Sequence, residues 1–350
     1  MAKETVREAF LEQARFCDHL GSPLTAQLMR ALPEALEAGG PVADRVWTWP
    51  GQPDAKADSV PLRLGGVLHR LVRAGEVPAL AALYPPADLP GMEVLGPVLA
   101  EVLDSHSAQI LDGLTFAPQT NEVGRASALY AGLLTIAAEY PQPFALYEVG
   151  ASAGLNLMAD RFGYRFGEAA FGDPASPVQL TPAWSGPVPP QAPVQVVSRR
   201  GCDLNPLDLT DPAARARLLS FVWADQPERL SRAEAAVSLA QTDVPAVDRA
   251  DAADWVEAQF AGPGLAGVTR VLWHSIAAQY FPQDSRDRID AALATAGEAA
   301  TAERPVARLA LEQAADERGP VLTLTLWPGG REVTLARASA HVTRVDWLAS

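Results

Sequence analysis

Hydrophobic residues recur along the first third of the chain at helical spacing. Val6, Phe10, Ala14 and Cys17 form one stripe, and Leu24, Leu28, Leu32 and Leu36 form the next. Apolar residues three or four apart share one face of a 3.6-residue helix, so both stretches predict amphipathic helices. Ser22-Pro23 supplies a start for the second and Gly39-Gly40-Pro41 a stop. Residues 62–74, 77–83 and 94–113 continue the pattern. Residues 42–59, with Trp47, Trp49, Pro50 and Pro53, read as a connector. Residues 1–115 therefore predict a helical N-terminal domain or lid, and residues 116–350 a second domain.

The pattern changes at Phe144. Phe144 to Val149 is a short, mostly apolar run of strand type, and Gly150, Ser152 and Gly154 make a tight turn after it. Leu155, Met158 and Phe162 then resume at helical spacing. Further strands are expected at 163–166, 194–198, 244–248, 268–274 and 306–312, with helices at 212–221, 228–240, 255–260 and 286–296. Residues 168–193 are rich in Pro and Gly and read as an insertion. Val321 to Trp327 and Glu332 to Ala336 alternate about Pro328-Gly329-Gly330 as a β-hairpin. Alternating strands and helices predict a doubly wound, mostly parallel sheet with one reversed strand at its C-terminal edge.

Composition narrows the function classes. A chain of 350 residues with a formal charge of −14 lacks the broad basic surface that nucleic acid or an anionic membrane attracts. Cys17 and Cys202 are too few for a disulfide framework or a Cys-based metal site, and the five histidines show no metal-ligand spacing. The N-terminus lacks the apolar core of a signal peptide, and no uncharged apolar run reaches membrane-spanning length. The expectation is a cytoplasmic protein acting on a small molecule, with no metal, no nucleic acid and no membrane.

Candidate chemistry centres on the turn. A strand feeding a helix through Gly150-Ala-Ser-Ala-Gly154 lets backbone approach a ligand and points free N–H groups at it. Glu148, two residues before the first glycine, suits a cationic amine or a hydroxyl. Two patterns compete here. One is the acidic-x-Gly-x-Gly-x-Gly turn of class I methyltransferases, with Ser152 in place of the middle glycine. The other is the Gly-x-Ser-x-Gly nucleophile elbow of an α/β serine hydrolase. The chain order Ser152, Asp251, His274 (or His341) permits the second, but that fold requires several strands before the serine, and residues 1–143 offer none.

Other residues gather at predicted strand ends. Asp203 closes the second strand, where a carboxylate accepts from both hydroxyls of a ribose, and Glu168 is its competitor at the more usual spacing. Asp251 follows the third strand and suits an adenine amino group. His274 stands at the C-terminal end of another strand, where open parallel sheets bind ligands, and is expected as a base, with Tyr280 beside it in sequence. Asn121, Glu122 and Arg125 put a polar end on the helix before the turn. Arg229, like Arg125, suits an acidic substrate.

Gln119-Thr-Asn-Glu-Val-Gly-Arg125, Tyr147-Glu-Val-Gly-Ala-Ser-Ala-Gly-Leu-Asn156, Arg200-Gly-Cys-Asp-Leu-Asn-Pro-Leu-Asp208, Val222-Trp-Ala-Asp-Gln-Pro-Glu-Arg229, His274-Ser-Ile-Ala-Ala-Gln-Tyr280 and Trp327-Pro-Gly-Gly330 span nearly the whole chain. On these segments the protein resembles a bacterial domain-of-unknown-function family with a methyltransferase-like, Rossmann-like core. The resemblance implies a fold rather than a reaction. The reading is a class I S-adenosylmethionine-dependent methyltransferase-like α/β domain. Glu148, Gly150, Ser152, Gly154, Asp203 and Asp251 are its cofactor candidates. A ligand-binding protein of the same fold without catalysis is the alternative, and the serine hydrolase the second.

Overall fold

The apolar stripes of the first third are buried as the spacing predicts: Val6, Phe10, Ala14, Leu24, Leu28, Leu32 and Leu36 all join one core. The computed structural model describes residues 2–316 and 318–349. The chain divides into two units. The first runs to Thr120 and takes back Asp211–Ser231. It contains α1 (Ala2–His19), α2 (Pro23–Ala35), α3 (Pro41–Trp47), α4 (Val60–Arg73), α5 (Pro78–Ala81), α6 (Met92–Ser105) and α7 (Ser107–Gly113). The expected connector at 42–59 thus holds a helix. Pro41 at its first turn costs no hydrogen bond, and Val42, Ala43 and Val46 bury its inner face.

After α8 (Ala126–Glu139), which belongs to the second unit, the chain returns to the first with α9 (Pro212–Ser220). Gly66 of α4 makes room for Phe221 just past α9: a Cβ there would lie 2.5 Å from the phenyl ring. Next, α10 (Pro227–Ala240) carries the chain out of this unit.

The second unit is built on a mixed sheet. Its strands are β1 (Phe144–Val149), β5 (Ala183–Ser185), β6 (Val196–Asp203), β7 (Ala246–Arg249), β8 (Thr269–Ser275), β9 (Val306–Gln313), β10 (Pro320–Trp327), β11 (Arg331–Ala338) and β12 (Arg344–Trp347). They lie in the order β5-β12-β11-β10-β9-β8-β1-β6-β7. The five strands from β9 to β7 are mutually parallel. Every residue of β8 is buried, as expected for a strand covered on both faces. On one face α8 packs against β9, where a Cβ at Gly132 would lie 2.6 Å from Leu309. On the other, Val149, Cys202 and Leu272 form a core with α11 (Ala252–Phe260) and α12 (Gln283–Glu298).

Three expectations need correction. The C-terminal part has an antiparallel meander, β10, β11 and β12, rather than one reversed strand. Its outer edge is covered by β5, which comes from the Pro-rich excursion and runs parallel to β12. That excursion also supplies β3 (Ala169–Gly172) and β4 (Gln179–Leu180), which flank β2 (Gly163–Phe166) in a small separate sheet. Finally, the segment after the glycine turn is a 3-10 helix, Leu155–Arg161, with no α-helix behind it. Five consecutive residues, Leu155 to Ala159, are buried there. With no exposed face, the apolar spacing there does not report an amphipathic α-helix.

Candidate functional site

Strand order reverses beside β1. From β1 the chain moves outward to β6 and β7 on one side, then crosses to β8 and β9 on the other. Ligands of open parallel sheets sit outside the C-terminal strand ends at such a switch point, because the connecting loops diverge there and leave a crevice. The glycine turn after β1 and the loop after β8 are the two walls of that point.

Glu148 is the penultimate residue of β1. It pairs in register with Trp273 on β8 and with Gly201 on β6. A Cβ at Gly201 would fall 2.7 Å from Ala151, so the absent side chain lets the turn pack down on β6. Glu148 is 2% exposed. Burial pushes its carboxyl up to about 8, while the Trp273 indole, Arg125 and the Asn156 amide pull it down and Asp203 raises it further. It is therefore protonated at neutral pH in the protein alone. Its Oε2 has no hydrogen-bond partner among the described residues.

The turn is held by its neighbour strand. Gly150, Ser152 and Gly154 have φ of 69°, 56° and 75°. Glycine tolerates this region freely; Ser152 does so at a cost. Asp203, at the end of β6, accepts from Ser152 N at 2.9 Å with one oxygen and from Asn205 N at 2.8 Å with the other. The Ala151 N–H donates to the Cys202 carbonyl and the Leu207 N–H to the Ser152 carbonyl. Opposite, a Cβ on Gly150 would lie 2.7 Å from the Ala277 Cβ in the loop after β8. The two walls of the crevice touch there.

The polar end before α8 does reach this place. Asn121 Oδ1 accepts from Leu155 N at 2.8 Å, so the leading N–H of the 3-10 helix is already taken. The expected row of free N–H groups is not formed. Glu122 caps the Val123–Arg125 turn through the Gly124 N–H. Arg125 donates to the Ser275 carbonyl at 3.0 Å, tying the start of α8 to the end of β8.

His274 faces the other way. Side chains alternate along a strand, so with Trp273 on the Glu148 face, His274 lies on the α12 face beside Leu272. Arg308 donates to its Nε2 at 3.1 Å, which leaves the ring proton on Nδ1, where it meets Glu312 at 2.6 Å. Both ring nitrogens are engaged and the residue is 2% exposed. Glu312 also accepts from Ala277 N and Ala278 N. Burial alone raises its carboxyl, but His274 and these N–H groups outweigh it and hold the carboxyl below its ordinary value. His274 thus anchors the loop after β8 and offers no atom to a substrate.

Other expected residues are spent or elsewhere. Asp251 caps α11, its carboxylate accepting from Ala253 N and Asp254 N, so the adenine role is not supported. Tyr280 is 66% exposed on a short 3-10 turn. Arg229 belongs to the helical unit, where it bonds to Gln226 and lies over Trp223. Glu168 sits in the β2–β3 turn, whereas Asp203 stands at the parallel strand end. Ser152 Oγ has no hydrogen-bond partner among the described residues, so no histidine activates it and no Ser152–His274–Asp251 triad is assembled.

Trp273 and Asn156 enter the site without having been singled out. Asn156 carried a signal, a polar residue inside an apolar run and 1% exposed. Trp273 carried none, because only strand register sets it beside Glu148. Among the described residues no group of three His, Cys, Asp or Glu side chains is placed to hold a metal, and no helix is long and apolar enough to cross a membrane.

The family model described as "Uncharacterized protein conserved in bacteria (DUF2332)" matches residues 7–347, and the chain belongs to that family. No curated protein and no solved structure matches it.

Proposed function

We propose that this chain is a cytoplasmic, class I methyltransferase-like protein that binds S-adenosylmethionine at the C-terminal ends of β1 and β6 and acts on a small molecule. One observation carries the reading: beside the strand-order switch, a glycine turn follows β1 and the adjacent parallel strand ends in Asp203. The backbone N–H groups of Ser152 and Asn205 fix the Asp203 carboxylate at the strand end, the place where a carboxylate suits a ribose diol. Gly150 and Gly154 fit close approach by backbone. The adenine end has no supported partner, since Asp251 is committed to its cap. The bound sulfonium itself supplies the reactive methyl; the protein positions an acceptor and excludes water.

A second reading is favoured by His274. With both ring nitrogens engaged, the expected base is not available, and a ligand-binding protein of this fold without catalysis becomes the alternative. Calorimetric titration with S-adenosylmethionine and S-adenosylhomocysteine tests the cofactor. Micromolar binding, lost in Asp203→Ala, supports it. No binding at millimolar concentration overturns it.

A further inference from the structure

Arg270, the second residue of β8, is 5% exposed. Among the described residues its side chain makes no hydrogen bond and no ion pair; the guanidinium lies instead over the Phe260 ring, 5.0 Å from the centroid. Burial works against its charge, and among the described residues no carboxylate acts to support it. The acids of the adjoining elements are committed elsewhere. Asp254 and Glu257 of α11 hold Arg288 of α12, and Asp248 of β7 holds Arg200.

A buried cation is normally paired, since it gives up its hydration and a single ring face returns only part of that. Arg63, at 9% exposed, shows the usual outcome: it donates to the carbonyls of Asp58, Leu114 and Thr115. Arg270 has no such oxygen among the described residues.

The backbone beside it allows close approach. Gly264 has a φ of 72°, and a Cβ there would lie 2.8 Å from Arg270 Nε, so the absent side chain lets the loop 261–267 fold onto the guanidinium. That loop is exposed, and the Gly264 N–H makes no hydrogen bond among the described residues. Phe260 continues into an apolar wall: its ring centroid is 5.2 Å from that of Tyr147, which in turn meets Trp255 at 5.9 Å. A fork of N–H donors, a backbone donor and an aromatic wall thus meet beside one exposed loop. Their complement is an anion that presents two oxygens to the flat guanidinium.

We propose that Arg270 is the binding group of a second site on this unit, a receptor for a small oxyanion, phosphate or carboxylate, seated against Phe260 and Gly264. The site lies at the N-terminal end of the parallel strands. Arg270 pairs with Ala145 near the start of β1 and with Val306, the first residue of β9. Ser275 closes β8 about 16 Å further on, at the rise of a strand. A ligand held at Arg270 is therefore not the ligand of the glycine turn, and the inference stands whether or not an adenosyl cofactor binds there.

NMR on the full chain tests it. The Arg270 Nε–Hε signal is assigned by its absence from Arg270→Met, or from Arg270→Lys if the first variant does not fold. It is followed during titration with inorganic phosphate, with acetate, and with chloride at matched ionic strength. The expected result is a saturable shift at millimolar phosphate or acetate and none with chloride; the anion that binds more tightly identifies the ligand class. Arg270→Lys, which keeps the charge but loses the fork, is expected to bind that anion at least tenfold more weakly in calorimetry. Thermal melts give an independent reading, with the anion raising the midpoint of the parent and leaving that of Arg270→Met unmoved. A signal that does not move, a signal that moves equally with chloride, or midpoints that rise equally in both proteins overturns the proposal and leaves Arg270 a residue packed on Phe260.

Discussion

Asp225 caps the helix that Ser22 begins, across 203 residues of chain. Its carboxylate accepts from the Ser22 hydroxyl and, at 2.7 Å, from the Leu24 N–H, and it lies within reach of Thr25. The Gln226 amide donates to the Leu20 carbonyl beside it. The turn 222–226 and the start of α2, two features that the sequence presents far apart, are thus one structural device. They fasten the returning segment of the helical unit to its first helices. Removing a charged cap with several donors costs about 2 kcal/mol. Asp225→Ala is expected to lose that much in denaturant titration, and Asp225→Asn about half. Unchanged midpoints in both variants contradict the assignment.

The Glu148 carboxyl links stability to pH. In the unfolded chain it loses its proton near 4.5, and in the folded protein near 8. Between those values the folded state binds the extra proton, so stability is greatest below 4.5 and falls as pH rises through about 8. Glu148→Gln carries no such proton. Its stability relative to the parent is expected to rise by roughly 1 kcal/mol per pH unit across that window. Parallel stability curves for the two proteins contradict a raised carboxyl.

The glycine turn makes opposite predictions at two of its positions. Gly150→Ala forces a side chain into the left-handed region and against Ala277, and is expected to cost about 3 kcal/mol. Ser152→Gly relieves the same backbone conformation and stays within about 1 kcal/mol of the parent in stability. Thermal melts on both variants check this. Equal destabilisation by the two changes is the contrary result.

His274 and Glu312 are expected to act as a unit that holds the loop after β8. His274→Ala takes one hydrogen-bond partner each from the part-buried Glu312 and Arg308, a loss of about 2 kcal/mol. A double-mutant cycle with Glu312→Ala should give a coupling of about 1–3 kcal/mol. Additive effects, or a His274→Ala variant as stable as the parent, return the histidine to the list of candidate bases.

Much of the architecture was legible because it is local. The stripes ending in Leu36, the strand at Phe144 and the hairpin about Gly330 follow from spacing and turn residues within a few positions. The winding after Gly154 was not, since Leu155 to Ala159 is enclosed on all sides and its leading N–H is taken by Asn121 from a distant segment. Nor was the final edge of the sheet, where β5 reaches β12 across more than 150 residues. Asp251 shows the ambiguity of a single residue: an acid after a strand reads equally as a ligand contact or a helix cap, and only its backbone partners decide.

By itself, the sequence determined that strands and helices alternate, that a glycine turn follows Val149 and that an acid stands two residues before it. Only the tertiary structure decided which residues meet at that turn. Facing in a sheet is set by register between strands remote in sequence, and one residue along β8 reverses it. Trp273 therefore joins Glu148, while His274 next to it turns away to Glu312 and Arg308.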